Sequence, residues 1–253
     1  ITLEKSGIAE KLLETMALMF GKIKGGIAIA VIVVGAMLAA STGIVGATVV
    51  TMGLISLPTM LKRGYNPSLA TGVIASSGTL GQIIPPSVVL VLLGSVLNVS
   101  VGDLFTSALL PGFILVFLYL LYIIIFSVLY PNLAPSMPTK EIEKFRKETS
   151  IFQIINAFIL PFFLIAAVLG SIFVGIASPT EAAGIGALGA LILSKANGSL
   201  KMSIVKDIMS ETTHLTSIVF MILIGATSFS LVFRGLEVDK PVSYTHLTLT
   251  TKA

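Results

Sequence analysis

Long stretches without a formal charge constrain this chain more than any motif in it. Between Lys24 and Lys62, Arg63 and Asp103, Asp103 and Lys140, and Glu148 and Glu181 there is no Asp, Glu, Lys or Arg. Each interval exceeds the roughly 20 apolar residues that cross a bilayer core as helix. A soluble core cannot absorb that much apolar sequence: 55% of residues are hydrophobic and 11% charged, against about 25% charged in ordinary soluble domains. The fold class expected is an all-α polytopic membrane protein.

The charges that do occur act as orientation marks. A sequence pI near 9.3 would suit a nucleic-acid binder, but the basic residues sit in short clusters between apolar segments, where membrane proteins carry topology signals. No nucleic-acid partner is expected. Cysteine is absent and there are two histidines, which removes disulfide scaffolds, thiolate nucleophiles and the usual zinc constellations. The chain opens on Ile1 and is expected to begin inside a longer protein. Residues 241–253 form a Thr-rich polar tail, expected to be non-native and set aside from the fold.

Residues 1–24 read as an interfacial amphipathic helix, with Ile8, Leu12, Leu13, Met16, Met19 and Phe20 opposing Glu10, Lys11 and Glu14. The run 26–61 is interrupted by Ser41, Thr42 and Gly43. Its arms of about 15 residues reach about 23 Å as helix, short of a core about 30 Å thick. With Lys22 and Lys24 before it and Lys62 and Arg63 after it, a re-entrant hairpin with both ends in the cytoplasm is expected. Residues 68–97 hold Gly78, Gly81, Pro85 and Pro86, so this span should break near the midplane.

A span at 104–130 then returns to a basic cytoplasmic loop, 131–150, holding Lys140, Lys144, Arg146 and Lys147. Residues 151–177 cross again. Ser178, Pro179 and Glu181 open a short apolar helix ending near Lys195, a polar stretch runs to Ser210, and a last apolar run covers 215–233. Roughly five crossings and one hairpin are expected on this reading.

A broken helix meeting a hairpin tip exposes carbonyls and half-helix ends, from which ion and solute sites are built in secondary transporters. Candidate oxygens lie at Ser41, Thr42 and nearby carbonyls of the hairpin tip, and at Gly81, Ile84 and Pro86 in the broken span. The plainer reading of each hydroxyl is a bond to a preceding carbonyl, and of each glycine, close helix packing. Glu181 is an ionisable group in apolar sequence, yet Ser178 and Pro179 before it make a capping box. Gly184, Gly186 and Gly189 suggest a packing face. His214 has no partner at ligand spacing and reads as structural.

Four segments carry a family likeness: Ala39–Thr48 (AASTGIVGAT), Leu57–Tyr65 (LPTMLKRGY), Ser77–Ser87 (SGTLGQIIPPS) and Ser178–Ala183 (SPTEAA). In this order, over about residues 1–240, they resemble the large membrane subunit of tripartite ATP-independent periplasmic (TRAP) transporters, closest to the branch associated with keto acids and related organic acids. The resemblance implies an elevator-type carrier of two inverted repeats in the bacterial inner membrane. Residues 25–130 would be the first-repeat transport region and 151–240 the start of an incomplete second repeat. It implies coupling to a sodium ion with no organic cofactor, a small membrane subunit, and a periplasmic substrate-binding protein delivering a small organic acid. Matching motif to motif places one sodium site at Thr42, Val45, Gly81, Ile84 and Pro86, with Ser41, Gly43, Thr79 and Ser87 as substrate-pocket candidates.

This chain departs from many relatives at the tip, where Thr42-Gly-Ile-Val45 replaces a Ser-Gly-Ser-Ser type sequence, so backbone carbonyls would carry more of the ligation. It stops before the family's second hairpin and second broken helix, and alone it is expected not to transport. A channel or structural scaffold subunit stays open, because small residues and broken helices occur there too. An intramembrane enzyme lacks support: the sequence has no His-Glu-x-x-His motif and no paired intramembrane aspartates.

Overall fold

A computed structural model describes residues 1–42, 45–138, 142–143 and 151–236, and every regular element among them is helical. The chain divides into two compact units, residues 1–201 and 202–253.

The first unit is organised around a helix that is apolar on every side, and such a helix must be covered on every side. Helix α1 (Thr2–Lys5) leads through Gly7, held at φ +72°, into α2 (Ile8–Phe20). The expected amphipathy of α2 is present: Leu12, Leu13 and Met16 are buried, while Glu10, Lys11 and Glu14 are exposed. Its apolar face is covered by α3 (Gly26–Thr42), in which Ala28, Ala30, Val31 and Val34 are sealed from solvent. Helices α4 (Val45–Lys62) and α5 (Pro67–Thr79) also pack on α3 and on each other.

The α3–α4 pair returns the chain to the level at which it started. The Ile27 N–H, at the start of α3, donates to the hydroxyl of Tyr65 just beyond α4, at 3.3 Å. The loop after α7 (Val101–Leu129) is sewn to the same end. Gly25 N donates to Ala134 O at 2.9 Å, Asn66 N to Leu133 O at 3.0 Å, and Met137 N to Gly21 O at 2.8 Å. Lys22, Lys24, Lys62 and Arg63 flank these bonded residues, so the basic clusters gather at one end together with the C-terminus of α7.

From that end the chain leaves through α5, a 3-10 turn at Leu80–Gln82 and α6 (Val88–Leu97), then comes back through the 29 residues of α7. At 1.5 Å per residue α7 is about 43 Å long, and α3 and α4 are about 25 Å each. Helices α8 (Ile151–Phe173) and α9 (Pro179–Ala196) pack together. A Cβ at Gly189 would lie 2.4 Å from Leu164 Cδ1 and one at Gly186 3.0 Å from Val168 Cγ2, whereas Gly184 has nothing within 4 Å. The packing face expected of three glycines is made by two.

The second unit contains α10 (Met202–Gly235). The polar stretch to Ser210 and the apolar run after it, separate in the sequence reading, form one helix. Against the five crossings expected, two helices among the described residues are long and apolar enough to cross a bilayer unaided, Val101–Leu129 and Met202–Phe233. Helix α8, 23 residues without a charged side chain, agrees with the crossing expected at 151–177; the rest of the difference has local causes. The 68–97 span is divided into helices of 13 and 10 residues, and α9 carries Glu181 and Lys195 at the ends of only 18 residues.

Candidate functional site: the helix break

The break in the 68–97 span follows from two prolines. Pro85 and Pro86 have no backbone N–H, and in a continuous helix those donors would serve the carbonyls four residues back, Gly81 and Gln82. The helix tightens instead: Ile83 N and Ile84 N both donate to Leu80 O, at 3.0 and 2.8 Å. The Pro85–Pro86 peptide is cis. Helix α6 restarts at Ser87, whose hydroxyl donates to Gln82 O at 2.8 Å and accepts from Leu90 N at 3.5 Å. The carbonyls of Gly81, Ile84 and Pro86 accept no hydrogen bond from any described residue.

Of the residues that carry these carbonyls, Gly81 and Ile84 are buried and Pro86 is half-buried, with Gln82 between them exposed. Leu80, Gly81, Ile84 and Pro85 are buried, and Leu80 and Ile84 pack with Ala36, Leu115 and Tyr119. A Cβ on Gly112 of α7 would sit 3.2 Å from Ile84 Cγ1. Pro86 lines an apolar cleft of about 310 Å³ shared with Leu3, Leu164, Val168, Ala183 and Ala190. A second cleft, of about 370 Å³ between α3, α5 and α7, includes Asn66, Ser76, Tyr122 and Phe126 and none of the expected site residues.

Both hairpin arms pack on the break. On α3, a Cβ at Gly35 would meet Ser77 Oγ at 2.9 Å, and one at Gly78 would meet Val49 of α4 at 2.3 Å. Val45, half-buried, begins α4 one turn before Val49. Thr42 ends α3, but its side chain and that of Ser41 lie outside the described residues, as does Gly43. Thr79 is exposed, and its hydroxyl donates to Ser76 O at 2.8 Å, the plain back-bonding pattern. The close approach at Gly78 is the helix packing expected of a glycine there, whereas those at Gly35, Ser77 and Gly112 escaped the sequence reading. An isolated Gly inside an apolar helix is their only signal, and its partner lies in another helix.

Other expected sites resolve into structure. At the start of α9, Ser178 N donates to Glu181 Oε2 at 2.8 Å, and Ser178 Oγ donates to the same oxygen at 2.7 Å. Glu181 N in turn donates to Ser178 Oγ at 3.4 Å, completing the capping box. His214 is exposed on α10. Among the described residues no cluster of His, Cys, Asp or Glu could hold a metal ion.

Two helices long and apolar enough to cross a bilayer, with a proline-made break between α5 and α6, mark the class: an all-α membrane protein with an interrupted helix. The family model "Tripartite ATP-independent periplasmic transporter, DctM component" matches residues 1–253, and the chain belongs to that family. Its members are transporter permease subunits, not enzymes. The chain is 39% identical over 184 residues to the C4-dicarboxylate TRAP transporter large permease protein DctM of Vibrio cholerae, covering 72% of this chain and 38% of that protein. It is 28% identical to the ectoine TRAP transporter large permease protein TeaC of Halomonas elongata, over 92% of this chain and 53% of the relative. It is also 28% identical to the isethionate TRAP transporter permease protein DctMQ of Oleidesulfovibrio alaskensis, over 97% and 38%. The chain thus spans about half the length, or less, of these relatives.

Proposed function

We propose that this chain forms part of the large permease of a secondary carrier that moves small organic acids across the bacterial inner membrane, driven by sodium. The helix break is half of the ion site, and the hairpin 26–61 enters and leaves the membrane from the cytoplasmic face as part of a moving, elevator-type domain. A periplasmic binding protein delivers the solute, and a small membrane subunit completes the complex. Relatives named for C4-dicarboxylate, ectoine and isethionate make the organic-acid class a narrower reading than family membership.

One observation carries the proposal: the Gly81, Ile84 and Pro86 carbonyls accept no hydrogen bond from any described residue, in a break that is buried at Gly81, Ile84 and Pro85 and packs against both hairpin arms. Lipid cannot satisfy such groups, and secondary transporters use unwound backbone of this kind for sodium. The remaining ligands are proposed at Thr42 and Val45. Ser41, Gly43 and Thr79 remain the candidates for the solute side; Ser87, also expected there, is buried with its hydroxyl given to Gln82 O and is set aside.

Uptake by the full-length parent, reconstituted with its small subunit and binding protein, tests this reading. Uptake is expected to require a sodium rather than a potassium gradient, and to fall in Gly81→Leu, which crowds the buried turn, and in Pro86→Ala, whose new N–H competes with the Ser87 hydroxyl for Gln82 O and favours closing the break. Uptake indifferent to sodium, or unaffected by both substitutions, would return the assignment to a channel or a scaffold.

A further inference from the structure

The two carbonyls orphaned by Pro85 and Pro86 meet different fates. Gln82 O is taken by the Ser87 hydroxyl at 2.8 Å, while Gly81 O accepts from no described residue. The same hydroxyl accepts from Leu90 N at 3.5 Å, and Ser87 is 1% exposed. With its proton given to Gln82 O and its side chain sealed from solvent, the hydroxyl is withdrawn from any solute. The bond to Gln82 spans Ile83, Ile84, Pro85 and Pro86, tying the end of the 3-10 turn to the first turn of α6 across the segment that holds the open carbonyls.

We propose that Ser87 is a positioning residue for ion binding: its hydroxyl closes the 82–87 loop and holds the Ile84 and Pro86 carbonyls in the orientation that receives the cation, without touching the cation itself. This rests on the sodium reading above. Two requirements select the side chain. Capping α6 needs only an acceptor, and closing the loop needs a donor; a hydroxyl supplies both. Threonine preserves both functions and alanine removes both. Glycine removes the donor but remains an acceptable N-cap, costing only a few tenths of a kcal/mol in that role.

The experiment compares Ser87→Ala, Ser87→Gly and Ser87→Thr in the reconstituted full-length complex, reading the sodium concentration for half-maximal uptake, the rate at saturating sodium, and thermal unfolding in detergent. The half-saturating sodium concentration is expected to rise on the order of tenfold in both the alanine and glycine variants, the loss of about one hydrogen bond. The saturated rate should change little, and threonine should restore wild-type behaviour. Thermal stability should separate alanine from glycine, while sodium dependence should not. Sodium dependence unchanged in the alanine and glycine variants, or reduced stability alone, overturns the proposal and leaves Ser87 as a helix cap. Wild-type uptake that ignores sodium defeats the carrier reading itself, a result visible before any variant is compared.

Discussion

Tyr65 carries the contact that makes the first hairpin a closed unit. It is 3% exposed, sits in the connection between α4 and α5, and accepts from the Ile27 N–H, one of the donors that a helix start leaves without an intrahelical partner. Burial pushes its phenol up to about 12, from an ordinary value of about 10. Tyr65→Phe keeps the ring and strands the Ile27 N–H, and should cost about 1–2 kcal/mol, read as a lower unfolding temperature in detergent at pH 8. The sign with pH follows from the raised value. The unfolded chain ionises first, so the stabilisation from neutral Tyr65 is fully present below about pH 10 and drains away as pH rises towards 12. The gap between wild type and Tyr65→Phe should therefore narrow over that window; a gap constant to pH 11.5 would mean Tyr65 is not the buried acceptor.

Packing between elements is set by glycines at close approaches. At Gly78 a Cβ would stand 2.3 Å from Val49 Cγ2 and 3.0 Å from Val49 Cα, so backbone as well as side chain must move. Gly72, on the same helix, has nothing within 4 Å of its Cβ position. Gly78→Ala should destabilise by about 1–3 kcal/mol through overpacking. Gly72→Ala should be neutral or stabilising by up to about 1 kcal/mol, because alanine has less conformational freedom in the unfolded chain to lose on folding. Thermal unfolding of the two variants of the full-length protein checks this, and equal behaviour would show that α4 and α5 do not meet at Gly78. The same contact places the first turns of α4 beside the break, so Gly78→Ala should also weaken sodium-dependent uptake.

For the molecule as a whole, the decisive feature is that the basic clusters and the end of α7 share one level. These residues contain no cysteine, so single cysteines can report their side once any cysteines elsewhere in the full-length parent are replaced. Lys24→Cys, Lys62→Cys and Tyr130→Cys should react with an impermeant thiol reagent from the cytoplasmic face, and Val99→Cys from the periplasmic face. Lys24→Cys and Lys62→Cys reacting from opposite faces would make residues 26–61 a net single crossing and remove the re-entrant hairpin.

Much of this was legible along the chain. Charge-free runs demand helices that lie in lipid or cover one another, and consecutive prolines must interrupt the helix they enter. The sequence alone therefore determined the helical class, the two arms of 26–61 on either side of Ser41–Gly43, the break before Ser87 and the capping box at Ser178. These rest on local causes: missing donors, caps at fixed spacing, and apolar length. Tertiary structure decided what covers what, because contacts such as Tyr65 to Ile27, Gly78 to Val49 and Gly112 to Ile84 join residues from different elements. It also decided the fate of Ser87. A serine after two prolines is an N-cap on paper, and only the folded path of the loop brings its hydroxyl to the Gln82 carbonyl that the prolines left without a donor.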